Sequence, residues 1–173
     1  AYYLLSPFNI LYIIMPLGHY SLAVFLTIWL RYGVIGLSFA HLLIRRYKGL
    51  SGKVWLVPVL ATAYALSGML VSYQMNPIFY DAMIMLPLVI LNLEEMLDGG
   101  RPYRYILTLA LTVFLQFYMG YMICLFVALY ACYYMAPKLS EGKNKKERLL
   151  NYFRPLFMAF FYSVLGFLAT TFL

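Results

Sequence analysis

Two ionised side chains stand where this apolar chain can least accommodate them. Arg31 lies about ten residues into an otherwise uncharged run, and Asp81 sits at or just inside the start of another. A charge in or near hydrocarbon is costly unless it has a partner or a water-filled cavity, so both residues are functional candidates. The planar guanidinium of Arg31 suits phosphate oxygens. It reads equally as half of a structural pair whose carboxylate lies outside these residues. Asp81 is placed to hold a polar ligand, or simply to stabilise the positive end of a helix.

A second group is polar and mostly uncharged. Tyr3 and Asn9 come from the first twenty residues, Asn76 and Tyr80 from the approach to Asp81, and Gln116, Tyr118 and Tyr121 from a glycine-containing turn. Aromatic faces beside amides and a carboxylate suit a polyhydroxylated ligand such as a sugar, through stacking and hydrogen bonds. Aromatic belts at a membrane interface account for many tyrosines without any function, and Asn76-Pro77 also reads as a turn ahead of a helix. His19 reads as an interfacial polar residue and His41 as packing. Cys124 and Cys132 share one helical run and read as inert core. Ala61, Ala65 and Gly68 are small residues at helical spacing, which suits close helix packing. The stretch Gly49-Leu-Ser-Gly52-Lys53-Val54 lacks the first glycine and the final Ser/Thr of a P-loop. Two cysteines make no disulfide framework, and no spacing suggests a metal site.

The elements that position these residues follow from composition. Of 173 residues, 65% are hydrophobic and only 11% charged, with mean hydropathy +0.81. Soluble domains carry roughly 25% charged residues, so a soluble domain is excluded. A helix needs about 20 apolar residues to cross the bilayer. Residues 21–44, 54–72 and 79–97 qualify. Residues 105–136 form an uncharged run of 32 residues, about 48 Å as a single helix and too long for one upright crossing. The basic residues favour a hairpin, 105–117 and 121–136, and residues 156–173 form a further span. Twelve of the 13 Lys+Arg then fall in three loops on one side: four in 44–53, two in 98–104 and six in 137–154. By the positive-inside rule that side is the cytoplasm, so the net charge of +7 reports orientation and not nucleic acid. The expected architecture is an all-α, polytopic transmembrane bundle of about six spans within residues 21–173. Residues 1–20, with Pro7 and Pro16 bracketing a short apolar stretch, are expected to form an interfacial or re-entrant helix on the outer face. Lys143–Arg148 reads as part of a solvated cytoplasmic loop. The start without Met and the abrupt apolar end suggest a piece of a longer membrane protein.

Four segments, in order, resemble the bacterial YfhO membrane protein family. They are Tyr2-Tyr-Leu-Leu-Ser6-Pro7-Phe8-Asn9, then Ala63-Tyr64-Ala65-Leu66-Ser67-Gly68, then Asn76-Pro-Ile-Phe-Tyr80-Asp81-Ala-Met-Ile-Met-Leu86-Pro87-Leu88, and Phe117-Tyr118-Met-Gly120-Tyr121-Met122. The resemblance implies a glycosyltransferase of the GT-C type in the bacterial cytoplasmic membrane. Its donor would be a polyprenyl-phosphate-linked sugar and its acceptor a cell-envelope polymer such as lipoteichoic acid, glycosylated on the outer face. It names no cofactor. In that fold the catalytic residue is usually an acidic residue of the first outer loop, and residues 1–20 hold no Asp or Glu. The resemblance therefore puts the catalytic carboxylate upstream. Asp81 matches an acidic position of the family at the start of a later span, as a donor-site or supporting residue. Two other functions fit the residues: a transporter or flippase for lipid-linked precursors, in which Arg31 and Asp81 line a path, and a non-catalytic scaffold for envelope assembly. No inverted repeat is visible to support the transporter.

Overall fold

The computed structural model describes residues 6–47, 55–73, 76, 78–137 and 145–171. All regular structure among the described residues is helical. The α-helices are α1 (Ile10–Ile14), α2 (Tyr20–Arg46), α3 (Leu56–Ala65), α4 (Gly68–Ser72), α5 (Ile78–Leu97), α6 (Pro102–Leu115), α7 (Phe117–Met135) and α8 (Lys145–Thr171), with short 3-10 turns at Pro7–Asn9 and Leu17–His19. Three helical stretches are long and apolar enough to cross a membrane: Tyr20–Arg46, Phe117–Met135 and Arg148–Thr170. The chain is an all-α membrane protein. It divides into two compact units, Ala1–Leu88 and Val89–Leu173, with α5 passing from one into the other.

In the first unit α2 buries Ala23, Thr27, Arg31, Ile35, Ser38 and Leu42, a three-to-four-residue spacing that keeps one stripe facing inward. Its other faces expose Phe25, Trp29 and Leu37, an apolar surface that suits lipid and not water. Helix α3 packs beside Gly36, where an added Cβ would make ordinary van der Waals contact with the Ala61 carbonyl oxygen at 3.7 Å and Ala65 Cβ at 3.8 Å. Phe39 stacks on Tyr64 with ring centroids 4.4 Å apart. Gly68 takes no part in this packing; it stands in open space and opens α4. The apolar run 54–72 is not one helix, because Ser67 turns extended (ψ 144°) between α3 and α4. The break leaves α4 with its own C-terminal carbonyls to satisfy. The Tyr32 hydroxyl donates to the Leu70 carbonyl at 3.3 Å, and the Tyr80 hydroxyl donates to that of Tyr32 at 3.2 Å. Ile35, Ala65, Leu70, Tyr80 and Ile84 form the core around these bonds.

In the second unit the 32-residue uncharged run divides at Gln116, which is extended (φ −156°, ψ 100°) between α6 and α7. The two helices then pack so tightly that a Cβ at Gly120 would sit 2.8 Å from Val113 Cα. Helix α5 ends in a Schellman turn: Gly99 has φ +92°, its N–H bonds the Met96 carbonyl, and the Gly100 N–H bonds that of Glu95. A left-handed residue of this kind is where glycine belongs. Helix α8 starts at Lys145, well before the apolar span at 156. Residues 145–148 are therefore helical and not loop, because Lys, Glu and Arg are strong helix formers whatever their hydropathy. Residues 138–144 of that basic stretch lie outside the described residues. Tyr105 and Ser163 hydroxyls meet at 2.6 Å and join α6 to α8.

Candidate functional site

Three elements of the first unit bring the unexplained charges together. Arg31 comes from the middle of the buried stripe of α2 and is 2% exposed; Asp81 comes from the first turn of α5 and is 8% exposed. Arg31 Nε lies 3.7 Å from Asp81 Oδ1, an ion pair longer than a hydrogen bond. A carboxylate partner of Arg31 is thus present within this chain. The third element is the turn at Pro7–Asn9. Just ahead of it, Ser6 is buried, and its Oγ accepts a 2.9 Å hydrogen bond from Arg31 Nη2. Phe8 lies against the guanidinium, with Arg31 Cζ 5.3 Å from its ring centroid.

The local sequence explains this placement. Pro7 fixes the backbone at the start of its 3-10 turn, and that turn carries Ser6 and Phe8 on either side of Arg31. Tyr32 and Tyr80 are the chain neighbours of Arg31 and Asp81. Their rings pack edge to face at 5.2 Å, and their hydroxyls share the Leu70 carbonyl region. Helix α4 is thereby tied to the two helices that carry the ion pair. One turn before Arg31, Thr27 is fully buried, and its hydroxyl has no hydrogen-bond partner among the described residues.

Chemically this is a buried guanidinium 3.7 Å from a carboxylate and hydrogen-bonded to a serine hydroxyl. The planar fork of an arginine is suited to the oxygens of phosphate or carboxylate groups. Asp81 does stand in the first turn of α5, where its charge also suits the helix end; both of its sequence readings therefore apply.

The other candidates are distributed differently. Tyr80 is in the site, as above. Asn9 is half-buried at the end of the Ser6 turn, and Asn76 is exposed, its backbone N–H closing a turn on the Tyr73 carbonyl at 2.8 Å. Gln116, Tyr118 and Tyr121 belong to the second unit, where Gln116 is buried and both tyrosines are exposed. Tyr3 lies outside the described residues. Phe8, Thr27 and Tyr32 are residues near the pair that sequence reasoning did not single out. The four-residue spacing of Thr27 and Arg31 was the available signal for Thr27. His19 is exposed where α2 begins. Cys132 is exposed and not core, because α7 buries only the face bearing Ile123, Val127, Ala131 and Met135.

Two of the three segments that build this site also carry the family resemblance, Ser6 through Asn9 and Asn76 through Leu88; α2, which carries Arg31, does not. The sequence model of the family described as bacterial membrane protein YfhO matches residues 1–173, the whole chain. The chain belongs to the YfhO family. Neither a curated relative nor a solved structure matches it. In this YfhO chain the segment beginning at Asn76 supplies Tyr80 and Asp81, and the Phe117–Met122 segment supplies Gly120, the close-approach point of α6 and α7. The Tyr64–Gly68 segment supplies both the Tyr64 hydroxyl, which donates to the Met83 carbonyl at 3.0 Å, and the break at Ser67.

Proposed function

We propose that this YfhO-family chain is part of a GT-C-type membrane glycosyltransferase that moves a sugar from a polyprenyl-phosphate donor to a cell-envelope polymer on the outer face. The buried Arg31–Ser6–Asp81 constellation carries the reading: it offers an oriented cation inside an otherwise apolar protein. In the reaction the acceptor hydroxyl attacks the anomeric carbon, and the bond from that carbon to the phosphate oxygen breaks with its electron pair leaving on the lipid phosphate. Arg31 stabilises the charge that develops there. Asp81 and Ser6 hold the guanidinium in place until the phosphate takes over part of its bonding. The acceptor proton goes to a carboxylate of the outer loop that precedes this segment in the fold. Asn76 and Asn9 of the same unit are proposed to hold sugar.

The test uses the full-length protein in membrane vesicles supplied with a labelled polyprenyl-phosphate sugar. Arg31→Ala is expected to slow transfer by about 10²–10³-fold, the usual effect of removing one such donor, and Asp81→Asn to slow it as well, at equal protein level by immunoblot. Wild-type transfer in both variants sinks this site assignment. Accumulation of translocated but uncleaved donor would instead mark a flippase.

The same reading orients the protein as a multi-pass chain with its basic loops in the cytoplasm. In a background with Cys124 and Cys132 replaced by alanine, Asn76→Cys should react with a membrane-impermeant maleimide in intact cells. Lys143→Cys should react only after permeabilisation. The opposite pattern would invert the topology and remove the site from the outer face.

A further inference from the structure

A second feature lies in the unit formed by Val89–Leu173, where the end of α5, the start of α6 and one face of α8 line an open, mostly apolar cavity of about 290 Å³. Its size is near the lower end of small-molecule sites, roughly 300–1,000 Å³. Met96, Leu97 and Met158 supply apolar wall, and Arg154 is the one ionised side chain in the lining. Arg154 is exposed and makes no ion pair with another described residue. The nearby acidic groups are turned to other partners: Glu95 pairs with Arg104 at 3.3 Å, Asp98 accepts from the Tyr134 hydroxyl at 2.8 Å, and Glu94 accepts from the Tyr130 hydroxyl. None of these carboxylates lines the cavity.

Two further observations define the occupant. The turn that edges the cavity is Gly99–Gly100, in which Gly99 has positive φ and a Cβ on Gly100 would sit 2.5 Å from the Glu95 carbonyl oxygen. The cavity is therefore bordered on this edge by bare glycine backbone. On its other side Met158 is 43% exposed, and the same helix exposes Phe157 and Phe161, so the apolar wall continues onto a surface that faces hydrocarbon. A ligand that satisfies both ends carries one anionic group for Arg154 and an apolar tail that leaves along α8.

We propose that this cavity is a binding site for an anionic phospholipid, whose phosphate pairs with Arg154 and whose acyl chain lies along the α8 face. Basic pockets between membrane helices recognise lipid headgroups in this way. The site is separate from the Arg31–Asp81 constellation and does not depend on the transfer reaction.

The experiment is native mass spectrometry on the purified full-length protein in detergent, with phosphatidylglycerol and phosphatidylcholine of matched acyl chains added at equal concentration. The wild type should retain the anionic lipid preferentially. Arg154→Gln should reduce that retention about fivefold, the weight of one basic residue at an anionic surface, and leave phosphatidylcholine binding as it was. Met158→Trp, which fills the cavity and keeps the charge, should also reduce it, whereas Arg45→Gln on α2 should not. Wild-type retention by Arg154→Gln, or an equal loss in Arg45→Gln, overturns the proposal. Displacement of the lipid by excess inorganic phosphate also overturns it, because the site would then read a bare anion.

Discussion

Asp81→Ala in the full-length protein should cost about 3–5 kcal/mol of stability, the penalty of leaving a buried charge without its counter-ion. Arg31 is 2% exposed, so bulk solvent screens its charge little. The Ser6 hydroxyl that accepts from it and the Phe8 ring against it carry no charge that could replace the carboxylate. The double replacement Arg31→Met with Asp81→Leu should recover most of the loss, since a buried pair exchanged for apolar residues of similar size is often neutral or better. The contrast within the molecule is Arg104 with Glu95, whose side chains are 50% and 46% exposed. Arg104→Gln should leave the thermal midpoint unchanged, because exposed pairs contribute little. Thermal unfolding of the detergent-solubilised variants reads all three. The double variant also separates structure from chemistry: restored stability without sugar transfer fits a functional cation. Restored stability with full transfer would reduce the pair to a structural tie. An Asp81→Ala protein that melts with the wild type would contradict the burial itself.

What the sequence made visible was cost. Arg31 and Asp81 could be singled out because hydrocarbon penalises charge, and the helical class followed from runs of apolar residues. The pairing was not visible, because the two lie fifty positions apart and a penalty does not name its partner. Ser6 was legible only as part of a polar segment; its role depends on Pro7 carrying it against α2. Glu94 escaped notice for the opposite reason. It stands near the end of an apolar run, where hydropathy counts it as a flank, yet it is 7% exposed and accepts from the Tyr130 hydroxyl of α7. The break at Ser67 was hidden by uniform apolar composition on both sides. The early start of α8 was hidden because hydropathy and helix propensity disagree over Lys145, Lys146, Glu147 and Arg148, and the backbone follows propensity.

Gly120→Val should be the most disruptive single change in the second unit. Helices in a membrane gain little from burying apolar side chains, since lipid tails are equally apolar, so close backbone approach and packing hold them together. The α6–α7 pair achieves that approach at Gly120: the nearest atom to an added Cβ is Val113 Cα at 2.8 Å, followed by Val113 Cγ2 at 3.1 Å and Val113 Cβ at 3.4 Å. The closest obstacle is backbone, which cannot rotate aside as a side chain can. Even Gly120→Ala should therefore cost about 1–3 kcal/mol by forced overpacking, despite the better helix propensity of alanine. Valine adds two methyl groups to the same gap and should cost more. The turn at Gln116 is short, so the hairpin cannot relieve the clash by sliding far. A compensating change sharpens the test: Val113→Ala removes Cγ2 but leaves Cα, so it should rescue Gly120→Ala only in part. Thermal midpoints of the two single variants and the double variant decide it. Full rescue would mean that side-chain crowding, not backbone approach, sets the α6–α7 distance. A Gly120→Ala protein more stable than the wild type would mean that the two helices do not pack at this point.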